Sequence, residues 1–397
     1  MSPAHQRIGF LACAVMTALL LGGCGLFQRD TTEPPAPLPD YEAALSPSSA
    51  WERNTGDGTG RFYVHLEPML HEDVFYVTDA QGQVTAVNLE DGRQRWSTNL
   101  NEAITGGVGG GEGIVTVGTA KGVVIALAME SGELLWRRQL SSEVMALSTA
   151  AQGRLIARTN DGRVHALNAE TGEPVWLAGR TTPALSLRGV GQPVMVPGRV
   201  LVGFDNGRVV SFGLGRGNVL WETVLAQPTG RSELERMVDV DGHIDVVDGR
   251  VYAVSYQGRL AAMSVTDGRI VWDREFSSYR GLAVDGDRIF VTDAEDHVWG
   301  LDRNGGVGLW QQDQLRLRRL TPPVVWRDYV VVGDYQGYLH WMSREDGSLV
   351  GRMQVDSSGL MARPVLHDDR LYVLGQGGRL AAVTLEDRRR ARRAGDE

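Results

Sequence analysis

The chain has 397 residues, 42% of them hydrophobic and 22% charged, so it can bury a sizeable core in two or three domains or in one long all-β fold. Its net charge of −9 at pH 7 argues against a nucleic-acid binder, which would carry a basic face. Glycine, at 50 residues, is roughly twice its usual share without a three-residue period, which excludes collagen. The two cysteines, Cys13 and Cys24, cannot build a disulfide framework or a cysteine-rich zinc site.

The N-terminus reads as an address. Residues 8–21 (IGFLACAVMTALLL) form an apolar run behind a short stretch carrying His5 and Arg7. A bilayer span needs roughly 20 residues, so the run fits the core of a signal peptide over 1–23. It ends in Leu21-Gly22-Gly23-Cys24, which resembles the cleavage box of bacterial lipoproteins. The resemblance implies acylation of the Cys24 thiol, palmitate included, with Cys24 as the first mature residue. Gly25 stands where an Asp would hold such an anchor in the inner membrane, so the expected location is the periplasmic face of the outer membrane. Residues 24–50 contain prolines 34, 35, 37, 39 and 47 and no apolar period. They read as a lipidated tether with a reach of about 80 Å if fully extended.

One pattern then repeats eight times. Five copies run 14 residues from a Gly to a Trp: Gly82 to Trp96, Gly122 to Trp136, Gly162 to Trp176, Gly207 to Trp221 and Gly258 to Trp272. A sixth runs from Asp296 to Trp310, a seventh from Gly337 to Gly351, and an eighth starts at Gly378 and dissolves into an arginine run. Each copy reads as two strands around a turn whose Gly takes a positive φ. Another β-rich run and a shorter apolar one lie upstream. Four strands per repeat of about 43 residues predict a β-propeller of eight antiparallel blades over 51–387. The last blade lacks its final strand, and the segment around Trp51 supplies it, closing the ring and removing a free edge.

The best copy, Ala166 to Trp176 (ALNAETGEPVW), resembles the quinoprotein-type propeller repeat. There the tryptophans pack between blades, which is the structural role expected for Trp96, Trp136, Trp176, Trp221, Trp272 and Trp310. The lipoprotein box, the tether, eight blades and these repeats together resemble the BamB family of the outer-membrane β-barrel assembly machinery, over essentially the whole chain. Residues 184–189 (ALSLRG) and 239–241 (DVD) match segments through which that family docks the central barrel-forming subunit, BamA. The resemblance implies partner-binding roles for Leu185, Leu187, Arg188, Asp239 and Asp241.

Loop lengths point to the same place. From each Trp position to the next repeat start the chain runs 24 to 27 residues, except for 31 after Trp176 and 37 after Trp221. These two long connections are consecutive and lie on one face of a propeller, where binding sites usually sit. The expected function is a non-enzymatic scaffold that docks a BamA-like subunit. Unfolded outer-membrane clients are a second class of partner, held by strand addition at a blade edge. A quinoprotein dehydrogenase would need a calcium site, an axial cofactor and long insertions, and no surplus length exists for them. The eight histidines show no metal-ligand spacing, and no cofactor or metal is expected. The glycine run 106–111 leads into a strand rather than a helix, so it is expected to be a flexible inter-blade connection rather than a phosphate cradle. A sugar- or peptidoglycan-binding propeller would use Trp299, Trp326 and Trp341 as a stacking platform, although their predicted strand positions favour the core. Residues 388–397 read as an arginine-rich solvated tail.

Overall fold

The computed structural model describes residues 33–60, 64, 66–180, 187, 191–240 and 242–387. The signal peptide, Cys24, Leu185, Arg188, Asp241 and the tail from 388 on lie outside them. Residues 36–397 form one compact unit and 1–35 another.

Every regular element among the described residues is a strand, and the strands form eight four-stranded antiparallel sheets. Blade 1 consists of Met69–His71, Val74–Thr78, Gln83–Asn88 and Gln94–Asn99, here termed strands A to D from the axis outward. Blades 2 to 7 follow at 104–139, 144–179, 194–224, 245–276, 282–312 and 324–354. Blade 8 takes strands A to C from Val365–His367, Arg370–Leu374 and Arg379–Asp387. Its strand D is Leu45–Asn54, paired from Leu45 opposite Asp387 to Asn54 opposite Arg379, with Trp51 opposite Ala382. The eight-bladed propeller and its closure around Trp51 are as expected.

Alternation along strands B and C places apolar side chains on both sheet faces. The core is therefore divided among the gaps between blades. Eight buried apolar clusters occupy the eight seams, such as Tyr76, Val84, Val117 and Ile125 between blades 1 and 2.

Two expectations need correction. The tether was expected to reach residue 50, but from Ala36 the chain is bound to blade 7 and to the connection that leads into it. Ala36 N donates to Arg316 O at 3.0 Å, and Ala44 N donates to Val350 O at 2.9 Å. Arg318 Nη1 and Arg352 Nη1 donate to Ala36 O and Pro39 O at 2.8 and 3.1 Å. Arginines on blade 7 and on the connection before it thus satisfy carbonyls that proline-rich backbone leaves without strand partners. The glycine run 106–111 is also no free connection. It lies within Ile104–Gly111, strand A of blade 2, the innermost position. A Cβ on Gly107 would sit 2.5 Å from Glu67 N, and one on Gly109 would sit 2.5 Å from Ser148 O. The run is glycine because the backbones of blades 1 and 3 close on it near the axis.

Candidate functional site

The tryptophans settle what is structural. Each indole in strand D donates from Nε1 to a carbonyl of the next blade. Trp51 reaches Leu89 O, Trp96 Met129 O, Trp136 Ala169 O, Trp176 Leu214 O, Trp221 Val265 O, Trp272 Arg303 O and Trp310 Arg344 O, all within 2.8–3.1 Å. Each ring also lies flat against the turn glycine of that neighbour. At Gly132 the φ is +73°, and a Cβ would meet the Trp96 ring at 2.5 Å. The other three tryptophans build no platform. Trp326 and Trp341 are buried together at a centroid distance of 6.5 Å. Trp299 donates to Asp293 Oδ2 at 2.9 Å and packs edge-on against Phe276.

The two long connections meet. Leu187, from the connection between blades 3 and 4, donates its backbone N–H to Asp239 Oδ2 at 2.7 Å. Asp239, from the next connection, is fully buried, and its own carbonyl accepts Tyr256 N at 2.7 Å. Of the five predicted docking residues, the structure brings together Leu187 and Asp239. Asp239 is a brace between loops rather than an exposed acid. Leu185, Arg188 and Asp241 lie outside the described residues.

The second connection has a buried root and an exposed tip. Met237, Val238 and Val240 are buried, and Val240 N donates to Phe204 O at 3.2 Å. At the tip, Glu235 accepts Arg231 N and Ser232 N at 2.7 and 3.1 Å. Those two hydrogen bonds hold the Glu235 carboxyl below the usual carboxylate range, against a slight desolvation that raises it. The turn displays Leu234, 64% exposed, the most exposed of the large apolar side chains among the described residues. Sequence reading marked this connection by its length but did not single out Leu234, because nothing in the order Ser-Glu-Leu-Glu says which side chain the turn pushes outward.

Beside Leu187 a cavity of about 640 Å³ opens at the ring axis, lined among others by Glu67, Tyr256, Tyr279, Arg280, Val324 and Arg363. Burial pushes the Glu67 carboxyl up to about 7, against the opposing effects of the Arg363 N–H bond and the Arg363 charge. His243 Nε2 lies 3.0 Å from Asp245 Oδ1 on the same wall, and burial lowers the imidazole below its ordinary value. Nothing in the local pattern around Glu67 marked it, because the cavity is assembled from chain segments some 300 residues apart. Among the described residues no group of three or more His, Cys, Asp or Glu side chains is placed to hold a metal.

A second surface lies on the outer strands. Leu134, Leu135, Val175, Leu177, Val219, Leu220, Val271 and Leu309 are exposed on strand D of blades 2 to 6, with Val307 just before the last of these strands. They flank the seam tryptophans, whose own side chains turn inward.

Blades, seam tryptophans and paired long connections define an eight-bladed propeller of quinoprotein-like repeats with one loop-built face. A family model described as outer membrane protein assembly factor BamB matches residues 44–104, 80–312 and 301–394. The outer membrane protein assembly factor BamB of Pseudomonas aeruginosa is 51% identical over 373 residues, 94% of this chain and 98% of its own. That of Escherichia coli is 40% identical over 381 residues, covering 93% of this chain and 97% of its own. The crystal structure of BamB from Moraxella catarrhalis aligns with a TM-score of 0.78 at 26% identity, over 85% of this chain and 100% of that one. The chain belongs to the BamB family of outer membrane protein assembly factors. A quinohemoprotein alcohol dehydrogenase from Comamonas testosteroni aligns at a TM-score of 0.66 and 13% identity, over 85% of this chain and 76% of its own, a likeness of fold alone.

Proposed function

We propose that the protein is a non-enzymatic scaffold lipoprotein of the outer-membrane protein assembly machinery. It is held through Cys24 on the periplasmic face of the outer membrane and docks a BamA-like barrel-forming subunit. The observation that carries this reading is the Leu187–Asp239 bond. It ties the two longest inter-blade connections into one surface on a rigid ring, as a docking patch requires. Leu185, Leu187 and the exposed Leu234 supply apolar contact surface, and Arg188 supplies a guanidinium, the one of these residue types that binding hot spots favour. Asp239 acts by bracing the two loops, and Asp241 is kept as a partner-binding residue.

The test is a pull-down of the mature protein from outer-membrane extracts beside Arg188→Glu and Leu187→Ala. Wild type is expected to recover the barrel-forming subunit, and each variant to lose at least about tenfold in affinity, roughly 1.4 kcal/mol, with an unchanged melting curve. Wild-type affinity in a folded Arg188→Glu variant would refute the site. The apolar outer strands support a second role, in which extended clients add to exposed blade edges. A client peptide with alternate amides methylated should then lose its retention in the same assay.

A further inference from the structure

The axial cavity holds a charge arrangement that protein docking does not use. Arg280 lies on the connection between blades 5 and 6 and is 7% exposed. Among the described residues its guanidinium forms no salt bridge, and its Nε is buried without a hydrogen-bond partner. Its contact is the face of Tyr279, with the guanidinium carbon 4.8 Å from the ring centroid. Asp296 is the carboxylate that feels the Arg280 charge, but its oxygens accept Arg319 N and Leu320 N at 2.7 and 2.9 Å. Arg363 enters the cavity from the start of blade 8. Its charge acts on Glu67, His243 and Asp245, yet none of these lies within salt-bridge distance of it. Asp245 is already engaged by His243 at 3.0 Å and by Val284 N at 2.9 Å.

A guanidinium out of water without a carboxylate is costly, and its planar fork matches an oxyanion in two contacts. The same cavity has aromatic and aliphatic walls, with Tyr256 and Tyr279 edge-on at 6.1 Å and Val324 beside them. Its volume of about 640 Å³ falls in the range of small-ligand sites. We propose that the axial cavity binds a carboxylate carried on an apolar or aromatic body, with Arg280 and Arg363 as its cationic partners. Two arginines set against Glu67 and Asp245 leave little net charge in the cavity, which suits a monoanion better than a phosphate dianion. The carboxylate comes either from a free organic acid or from the C-terminus of a peptide that enters at the docking face, where Leu187 borders the opening.

The experiment is calorimetric titration of the mature chain with four probes: phenylacetate, a leucine-ended tetrapeptide as free acid, the same peptide as amide, and inorganic phosphate. Saturable binding is expected for phenylacetate, for the free-acid peptide or for both, with the amide and phosphate inert. Binding of phenylacetate alone assigns the site to a free acid, and preference for the peptide acid assigns it to a partner's C-terminus. Arg280→Gln and Arg363→Gln should each weaken binding at least tenfold. Without ligand, Arg280→Gln should melt at or above the wild-type temperature, because the cation it removes has no ionic partner. The proposal is overturned if neither carboxylate binds, if affinity survives both substitutions, or if Arg280→Gln unfolds the ring and Arg363→Gln binds as wild type.

Discussion

At the scale of single residues, Trp96 and Gly132 show why the repeat is written as it is. The indole donates to Met129 O at 2.9 Å, and its ring covers a glycine whose φ of +73° and missing Cβ are both required. The spacing of the six tryptophans showed the repeat, and the resemblance to quinoprotein-type repeats implied their packing between blades. Their acceptors were not, because each lies 31 to 44 residues further on, in the next blade. Glu67 is the opposite case, a functional-looking group without any local signature. Its carboxyl ordinarily titrates near 4.5 and is lifted to about 7 by burial on the axial wall. The ionised form is the one the fold disfavours. Its contribution to stability is therefore fully present below pH 4.5 and lost as the pH rises through about 7. Glu67→Gln should melt like wild type at pH 4 and above it at pH 8. Parallel melting curves for the two proteins across that range would show that the carboxyl is solvated.

At the scale of the strand, one repeat breaks the rule and shows how it can be broken. In blades 1 to 6 the strand-D tryptophan faces a small residue on strand C, as in Ala86 opposite Trp96 and Gly300 opposite Trp310. In blade 7 the sizes are exchanged, with Trp341 on strand C and Gly351 on strand D. Blade 8 has no C–D turn, because its strand D comes from the other end of the chain, so a tryptophan at 351 would have no turn glycine to cover. Leu45 packs against Gly351 instead, and Trp326 Nε1 donates to Asp369 Oδ1 at 3.1 Å across the same seam. Reading the sequence showed Gly351 as a weak copy. Only the pairing register shows it as half of an exchange. Trp341→Gly should cost about 3–5 kcal/mol as a large cavity, and Gly351→Trp about 1–3 kcal/mol by overpacking. Combined, they should cost less than the sum, as measured by denaturant unfolding; simple additivity would mean that the two positions do not share one space.

At the scale of the whole molecule, the ring depends on its two ends. Strand Leu45–Asn54 pairs along the full length of Arg379–Asp387, and Trp51 staples blade 8 to blade 1 through Leu89 O at 3.0 Å. Removing residues 45–54 exposes the long edge of blade 8 and opens the seam to blade 1. The deletion should lower the melting temperature of the entire propeller in one transition. A permuted chain carrying this strand after Asp387 through a glycine-containing turn should recover it. An unchanged melting temperature in the deletion would mean that the ring closes without its N-terminal strand. The proposed docking surface belongs to this scale as well, because its loops come from successive blades and meet only once the ring sets their spacing.

Fold class and blade number were determined by the sequence itself, because both follow from a local pattern repeated eight times; the closing strand followed from the incomplete eighth copy, and the tryptophans' role from the resemblance of that pattern to quinoprotein-type repeats. The positions of the two long connections were also readable, since length is counted along the chain. The tertiary structure decided what periodicity does not encode. It placed Asp239 inside as a brace, bound residues 36–44 to the ring, turned the glycine run into an innermost strand and gathered Arg280, Arg363 and Glu67 at the axis. These are contacts between residues far apart in the chain, and their geometry exists only after the ring has closed.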